Sequence, residues 1–453
     1  MTSDLLLQTL LEFLRIPSVS SGGGDAAALQ AGADWVAAQI VAAGGTARLL
    51  VTDRNPLVVG ELAASRPGAP TVILYGHYDV QSAEPLDEWT TPPFRPEVRD
   101  GRVYGRGATD DKGQVLPLIW AARELAAAGD LPVNVRFLVD GEEEIGGPSA
   151  EYWLRGDDGP ADAAIAFDSR MPDPRTPILV TSARGTMHLR IDVRTADNDL
   201  HSGAGNTVLN AAHVLQRVLA AVLPDAGGKL PDALRAGRGA PTDAEREGWR
   251  RLPGGATDIA QLGGRPHDAG AVDDRYRRIG YEPAIDVHGI ETGDARQVRT
   301  QIPATARAML SMRLAPGQAS AEMWPVLERM LTGAAPAGAD VRVTLNNACE
   351  PARVDPAHPV TRIAVAALER AAGVAPILVP AGGSLPVLSG FAARGIPAVL
   401  TGFGTLDSRV HASDESIHVE CLQLALRAAR ELLRGLGAYT GGANPVPQEV
   451  RNA

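Results

Sequence analysis

From Asp25 to Phe167 the chain alternates short apolar runs with helical stretches, and this rhythm restricts its fold more than any other feature. Leu57–Leu62, Thr71–Tyr75, Val133–Val139 and Ala163–Phe167 have the length and composition of strands. Asp25–Ala43 and Lys112–Ala128 carry Ala and Leu on one face and read as helices. Such alternation predicts an α/β domain with a mainly parallel sheet covered by helices. The rhythm returns near the other end, with a helix over His358–Ala372, strands around Ile377 and over Ile396–Thr401, and a helix over Val419–Leu436. The middle departs from it. Leu189–Val193 alternates like a half-buried strand, Asn206–Leu223 reads as a helix, and Ala308–Leu314 and Val341–Leu345 read as strands. Ser320–Leu331 reads as a helix with Ser320 at its N-cap. Residues 224–274, rich in Gly, Pro, Asp and Arg, predict long loops and short helices. The expected organisation is an α/β domain in two parts, 1–184 and 347–437, with a smaller α+β domain inserted over 185–346 and a loose tail over 438–453.

A length of 453 residues exceeds what one ordinary core supports, which agrees with two domains. The net charge of -11 argues against nucleic acid and anionic membrane as main partners. Only two cysteines occur, Cys349 and Cys421, so a disulfide framework is absent and a reducing, cytoplasmic setting is expected. Two distant cysteines also cannot form a thiolate zinc site, so any metal must use His and carboxylates. Met1–Arg15 has leucines at helical spacing, interrupted by Gln8, Glu12 and Arg15 and followed by Pro17. That pattern predicts an amphipathic core helix rather than a signal peptide. No apolar run approaches the ~20 residues of a membrane span.

Three of the strands run straight into metal-type ligands. Thr71–Tyr75 leads into Gly76-His77-Tyr78-Asp79, Val133–Val139 into Asp140-Gly141-Glu142-Glu143-Glu144, and Ala163–Phe167 into Asp168. In a parallel α/β sheet the carboxyl ends of the strands are where sites are built. Asp110, in Gly105-Arg106-Gly107-Ala108-Thr109-Asp110-Asp111-Lys112-Gly113, and His411, in Arg409-Val410-His411, complete the candidates. A single His-x-Asp is commonly a turn and an acidic triplet commonly a solvated loop. Their recurrence at strand ends favours a site. Several carboxylates that converge need a countercharge, and divalent cations supply it; His and carboxylate donors suit zinc.

At these residues the sequence resembles the zinc peptidases that include carnosinase-type cytosolic dipeptidases, acetylornithine deacetylase, succinyl-diaminopimelate desuccinylase and glutamate carboxypeptidase. The likeness runs along nearly the whole chain. The triplet Glu142-Glu143-Glu144 followed by Ile145-Gly146, Gly382-Gly383-Ser384-Leu385-Pro386 and Ser311-Met312-Arg313-Leu314 point to the dipeptidase branch. The resemblance implies two zinc ions per subunit, with manganese or cobalt as alternatives. It assigns His77 and Asp168 to one ion, Glu144 and His411 to the other, and Asp110 to both. Asp79 would hold the far nitrogen of His77, Glu143 would be the general base, and Glu142 would be exposed or structural. His201, in Asp199-Leu200-His201-Ser202-Gly203, matches a histidine of the inserted domain that reaches the other subunit's site, which implies a homodimer. Arg313 matches an arginine for the substrate's terminal carboxylate, and Thr300 and Ser384 match further substrate contacts. One position departs: Ala381 stands where the family commonly carries Glu, which affects the polarity of the pocket. His188, His213, His267, His288, His358 and His418 read as structural or surface residues.

The resulting expectation is dinuclear, zinc-dependent hydrolysis of dipeptides or small peptides. An N-acyl-amino-acid deacylase or a carboxypeptidase on the same scaffold is the neighbouring alternative. A non-catalytic relic of the fold is the alternative from another class, and the complete set of putting-together residues, His77, Asp110, Glu143, Glu144, Asp168 and His411, speaks against it. A nucleotide-binding protein is disfavoured because the first strand-to-helix turn has no glycine fingerprint.

Overall fold

The computed structural model describes residues 2–22, 24–52, 54–294, 296 and 299–439, so the tail expected to be loose falls, from 440 onward, outside the described residues. A nine-stranded sheet forms the larger body. Its strands follow the order Thr46–Leu50, Leu57–Leu62, Asn134–Asp140, Thr71–His77, Ala163–Phe167, Ala398–Thr401, Ile178–Ala183 and Ala352–Arg353, with Ile377–Ala381 also paired to Ile178–Ala183. The four strands from Asn134–Asp140 to Ala398–Thr401 run parallel. Antiparallel pairs flank this centre.

Alternate residues of the central strands enter two different cores. Val72, Leu74, Val135, Phe137 and Ile165 pack beneath the helices Lys112–Ala127, Pro359–Ala372 and Val419–Leu436. Ile73, Tyr75, Leu138, Ala164 and Ala166 face the other way, onto Ala150, Leu154 and Phe391. Burial on both faces explains why these strands read as continuous apolar runs rather than alternating ones.

A second sheet of four antiparallel strands, Ala284–Glu291, Thr305–Leu314, Gly185–Arg194 and Asp340–Cys349, has its own core. Here alternation is clean: Met187, Leu189, Ile191 and Val193 are buried against the helices Ala211–Ala220 and Ser320–Gly333, while His188, Arg190, Asp192 and Arg194 face away. The helix expected over Asn206–Leu223 begins only at Ala211, where the Asn210 side chain accepts the Ala212 N–H at 2.9 Å. Ser320 is not an N-cap. Ala319 holds that position, and the N–H and hydroxyl of Ser320 both donate to the Glu350 carboxylate instead.

Residues 232–281 fold into five short helices; the first, Asp232–Arg235, stays on the core of the smaller sheet through Leu234, whereas Asp243–Trp249 and Arg275–Tyr281 pack on the strand Ile377–Ala381 of the larger one. Buried Glu245 accepts hydrogen bonds from Tyr281 at 2.5 Å and from Thr181 of the larger sheet. At Gly280 an added Cβ would lie 2.2 Å from the Pro380 ring, so only glycine allows this helix to approach the strand so closely. The consequence for function is that this segment walls the cleft at the sheet's carboxyl edge.

Candidate active site

Parallel register brings the ligand-type residues of three strands to one edge. His77 pairs with Asp140, so the turn that follows Asp140 places Glu143 and Glu144 beside His77. Tyr75 pairs with Ala166, which puts Asp168 two residues on at the same edge. Glu143–Ile145 form a 3-10 turn closed by Gly146 at φ 61, a left-handed conformation that glycine adopts without strain.

Asp110 sits between the two histidines. Its Oδ1 lies 3.0 Å from His77 Nε2 and its Oδ2 3.1 Å from His411 Nε2. Glu144 Oε2 is also 3.1 Å from His411 Nε2, and Glu143 Oε2 is 4.0 Å from His77 Nε2. Two donor groups result, His77 with Asp110 and Asp168, and Asp110 with Glu144 and His411, each having its ligand atoms within 4.8 Å of one another. Asp110 belongs to both. The histidines differ in setting: His77 is fully buried, whereas the His411 side chain is 52% exposed and its backbone has φ 62.

The electrostatics follow from this crowding. Burial and the neighbouring Asp110 push the Asp168 carboxyl up to about 7. Burial, with Asp168 and Asp110 nearby, also raises Glu143 well above the carboxylate range. Burial raises Glu144 as well, against the pull of His411. Hydrogen bonds to Asp110 and Glu144 push His411 up to about 10. Burial disfavours the charged His77, but Asp110 and Asp79 outweigh it and raise its pKa. Asp110 moves the opposite way, since the two histidines overcome its burial. Without cations, protons must supply the countercharge that the acids need. Imidazole nitrogen and carboxylate oxygen in two groups sharing one carboxylate fit a pair of divalent cations.

The far nitrogen of His77 meets Asp79 in an unexpected way. Nδ1 is 3.0 Å from the Asp79 main-chain carbonyl and 3.4 Å from its carboxylate. The carboxylate accepts instead from Ser20 Oγ at 2.6 Å and from the Glu144 N–H at 3.1 Å, so Asp79 positions a neighbouring ligand-type residue as well. Of the two readings for Glu142, the structural one fits: it is buried and accepts from Thr52 Oγ1 at 2.6 Å.

Arg313 and Ser384 form a second group. Arg313 donates to Ser384 Oγ at 2.9 Å and to Thr186 Oγ1 at 2.8 Å. Arg184 holds the preceding glycine turn by donating to Gly382 O at 2.7 Å. A cavity of about 610 Å³ joins Ser384 to Asp110, Glu143, Asp168 and His411. His201 and Thr300 form a third group outside this cavity. The His201 residue pairs with Gln301, its exposed ring accepts the Gly203 N–H at 3.0 Å, and the Thr300 carbonyl accepts the Ser202 N–H.

Glu415 escaped the sequence reading. Fully buried, it accepts from the N–H groups of Gly107, Thr109 and Asp110 at 3.0, 2.8 and 3.0 Å, and from Arg106 at 2.7 Å. It therefore clamps the loop carrying Asp110 to the segment carrying His411. Lys112 was missed too. It is buried and donates to the carbonyls of Phe13 and Ile16, tying the same loop to the first helix.

A parallel α/β sheet that gathers two groups of acids and histidines, sharing one carboxylate, at the edge of a cleft has the donor set of a metal-dependent enzyme. More narrowly, the chain belongs to peptidase family M20/M25/M40, whose sequence profile matches residues 73–435. It is a metallopeptidase of that family, and its relatives include dipeptidases. A cysteinylglycine-S-conjugate dipeptidase of Corynebacterium striatum is 30% identical over 446 residues, 95% of either chain. The M20 family metallo-carboxypeptidase Sso-CP2 of Sulfolobus solfataricus superposes with TM-score 0.85 at 26% identity, over 96% of this chain and 99% of that one. The dipeptidase Dug1p of Saccharomyces cerevisiae has the same fold, with TM-score 0.81 at 23% identity over 96% of each chain.

Proposed function

We propose that this protein is a dinuclear, zinc-dependent dipeptidase in which Glu143 is the general base. The observation that carries the reading is Asp110, whose two oxygens face the Nε2 atoms of different histidines. His77 and Asp168 would hold one cation, Glu144 and His411 the other, and Asp110 both. Bound cations supply polarisation of the scissile carbonyl and a lower pKa for the attacking water. Glu143 takes that water's proton and delivers it to the leaving amine; its carboxylate lines the same cavity as Asp110, Asp168 and His411. Arg313, with Ser384, anchors the terminal carboxylate. His201 and Thr300 act from the partner subunit of a homodimer, His201 on the developing oxyanion. Zinc is the assigned metal, with manganese or cobalt as substitutes. Two free cysteines support a cytoplasmic setting, and among the described residues no helix is long and apolar enough to cross a membrane.

The likeness to a metallo-carboxypeptidase keeps one second reading in play, cleavage of longer peptides or N-acyl amino acids in the same cleft. Zinc-loaded protein assayed on dipeptides beside N-acetyl and N-succinyl amino acids separates the two. Activity confined to the acylated set would sink the dipeptidase reading. For the base, Glu143→Gln is expected to retain two zinc ions per chain by elemental analysis and to lose about 10²–10⁴-fold in kcat. Near-native turnover would remove Glu143 from that role.

A further inference from the structure

The cavity beside the ligand cluster has two unlike sides. Asp110, Glu143, Asp168 and His411 form one. The other is apolar and comes from two distant stretches: Tyr276 and Ile279 from the helix Arg275–Tyr281 with Leu252 from the loop before the preceding helices, and Val379, Ala381 and Leu400 from the larger sheet. Polar groups along this wall are already engaged. The Tyr276 hydroxyl donates to Pro253 O at 2.6 Å, and Asp258 is paired with Arg275 at 2.6 Å. Close packing fixes the wall against the glycine turn. The helix Arg275–Tyr281 abuts Pro380 through Gly280, and a Cβ added at Gly382 would lie 3.6 Å from Ile279 Cβ. Ser384, which holds Arg313, ends that same turn. The apolar wall and the Arg313–Ser384 pair therefore flank one short piece of backbone.

On the dipeptidase reading, in which that pair anchors the terminal carboxylate, we propose that the wall receives the side chain of the carboxylate-bearing residue. The favoured substrates are then dipeptides with a bulky apolar C-terminal residue, leucine or phenylalanine. A charged side chain would lose hydration there and find its potential partners occupied. Glycine would leave the wall unfilled and forgo the gain from covering it. Besides His411, Arg170 is the only basic residue lining the cavity among the described residues, and it is exposed.

Zinc-loaded full-length protein, assayed on Ala-Leu, Ala-Phe, Ala-Gly, Ala-Asp and Ala-Lys, tests the proposal. The expected kcat/KM for Ala-Leu and Ala-Phe is at least about tenfold above that for Ala-Gly and above both charged peptides. Equal or better turnover of Ala-Gly overturns it, and a preference for Ala-Asp overturns it in favour of Arg170. Ala381→Glu should move the Ala-Leu to Ala-Lys ratio towards lysine by about tenfold, and an unchanged ratio counts against the wall. Calorimetric binding of the same peptides to Glu143→Gln separates this proposal from the function it rests on. Tighter binding of Ala-Leu than of Ala-Gly, with no dipeptide cleaved by the native protein, retains the wall and rejects the dipeptidase. Cleavage without preference among the peptides rejects the wall and leaves the dipeptidase standing, and binding without preference together with no cleavage rejects both.

Discussion

Asp110 sits between two histidines because its loop is held from behind. Glu415 takes three backbone N–H groups of that loop and the Arg106 guanidinium, all away from solvent. Glu415→Gln keeps the shape but removes the charge, leaving Arg106 buried without its counterion. Breaking one partner of a buried pair costs about 3–5 kcal/mol, and loss of a group that orients a ligand costs about 10–100-fold in metal affinity. We expect both effects, read by urea unfolding and by competition with a zinc chelator; unchanged affinity would deny Glu415 a part in the site. The residues around this clamp were unequally legible. His77, Asp110, Glu143, Glu144, Asp168 and His411 announce themselves because metal-type donors follow strands or stand in short motifs. Glu415 and Arg106 are 309 residues apart, and no local pattern reveals that one carboxylate satisfies the other's loop. The Asp79 carbonyl was hidden for a different reason: a side-chain pattern says nothing about which backbone oxygen an imidazole meets.

At the scale of elements, the central strands of the larger sheet were readable because both faces are buried and each run is apolar throughout, whereas Thr46–Leu50, Ile178–Ala183 and Ala352–Arg353 were missed. Three of the four strands of the smaller sheet were readable because one face is wet, which imposes a period of two; Ala284–Glu291, exposed along most of its length, shows no such alternation and was missed. Residues 232–281 offered neither signal. Their short helices are held by distant partners, among them Glu245 on Thr181 and Gly280 on Pro380, so their loop-and-short-helix character was legible but their place was not. That placement makes a prediction for Gly280→Ala. Alanine would favour the helix by about 1 kcal/mol, while a Cβ 2.2 Å from a proline ring on a strand forces a backbone shift. Overpacking of this kind costs about 1–3 kcal/mol, so the clash should win. The expected outcome is a lower midpoint in urea, with the Ala-Leu to Ala-Gly ratio falling as the wall moves off the glycine turn. A stabilised variant would show that the helix is free to retreat.

For the whole molecule, the ligand cluster makes stability depend jointly on pH and metal. In metal-free protein His411 titrates near 10, above its ordinary value, so its stabilising contribution is present at low pH and lost as pH rises towards 10. Asp168, raised to about 7, adds a cost that grows as pH climbs from the ordinary carboxylate range to about 7. Both signs make the metal-free fold weaker with rising pH, and cations bind the deprotonated forms. Zinc should therefore raise Tm more at pH 8 than at pH 5.5 and release protons on binding, seen as a buffer-dependent calorimetric enthalpy. A shift independent of pH would contradict the assigned ligands.

The same cluster is built within one chain, whereas His201, on a separate strand pair, and Thr300, which precedes its second strand, stand outside its cavity. If a partner subunit brings them over the cleft, each working site combines two chains. His201→Ala and Glu143→Gln homodimers should then both be inactive. In a mixed dimer, one site pairs an intact Glu143 with an intact His201, and the other has neither. Random exchange of equal amounts makes about half the dimers mixed, so about a quarter of native activity should return. Were His201 to serve its own chain, no mixture would contain an intact site and activity would stay at the level of the parents. The test requires subunits that exchange, so the mixture is refolded together and its composition checked by native mass spectrometry before the rates are compared.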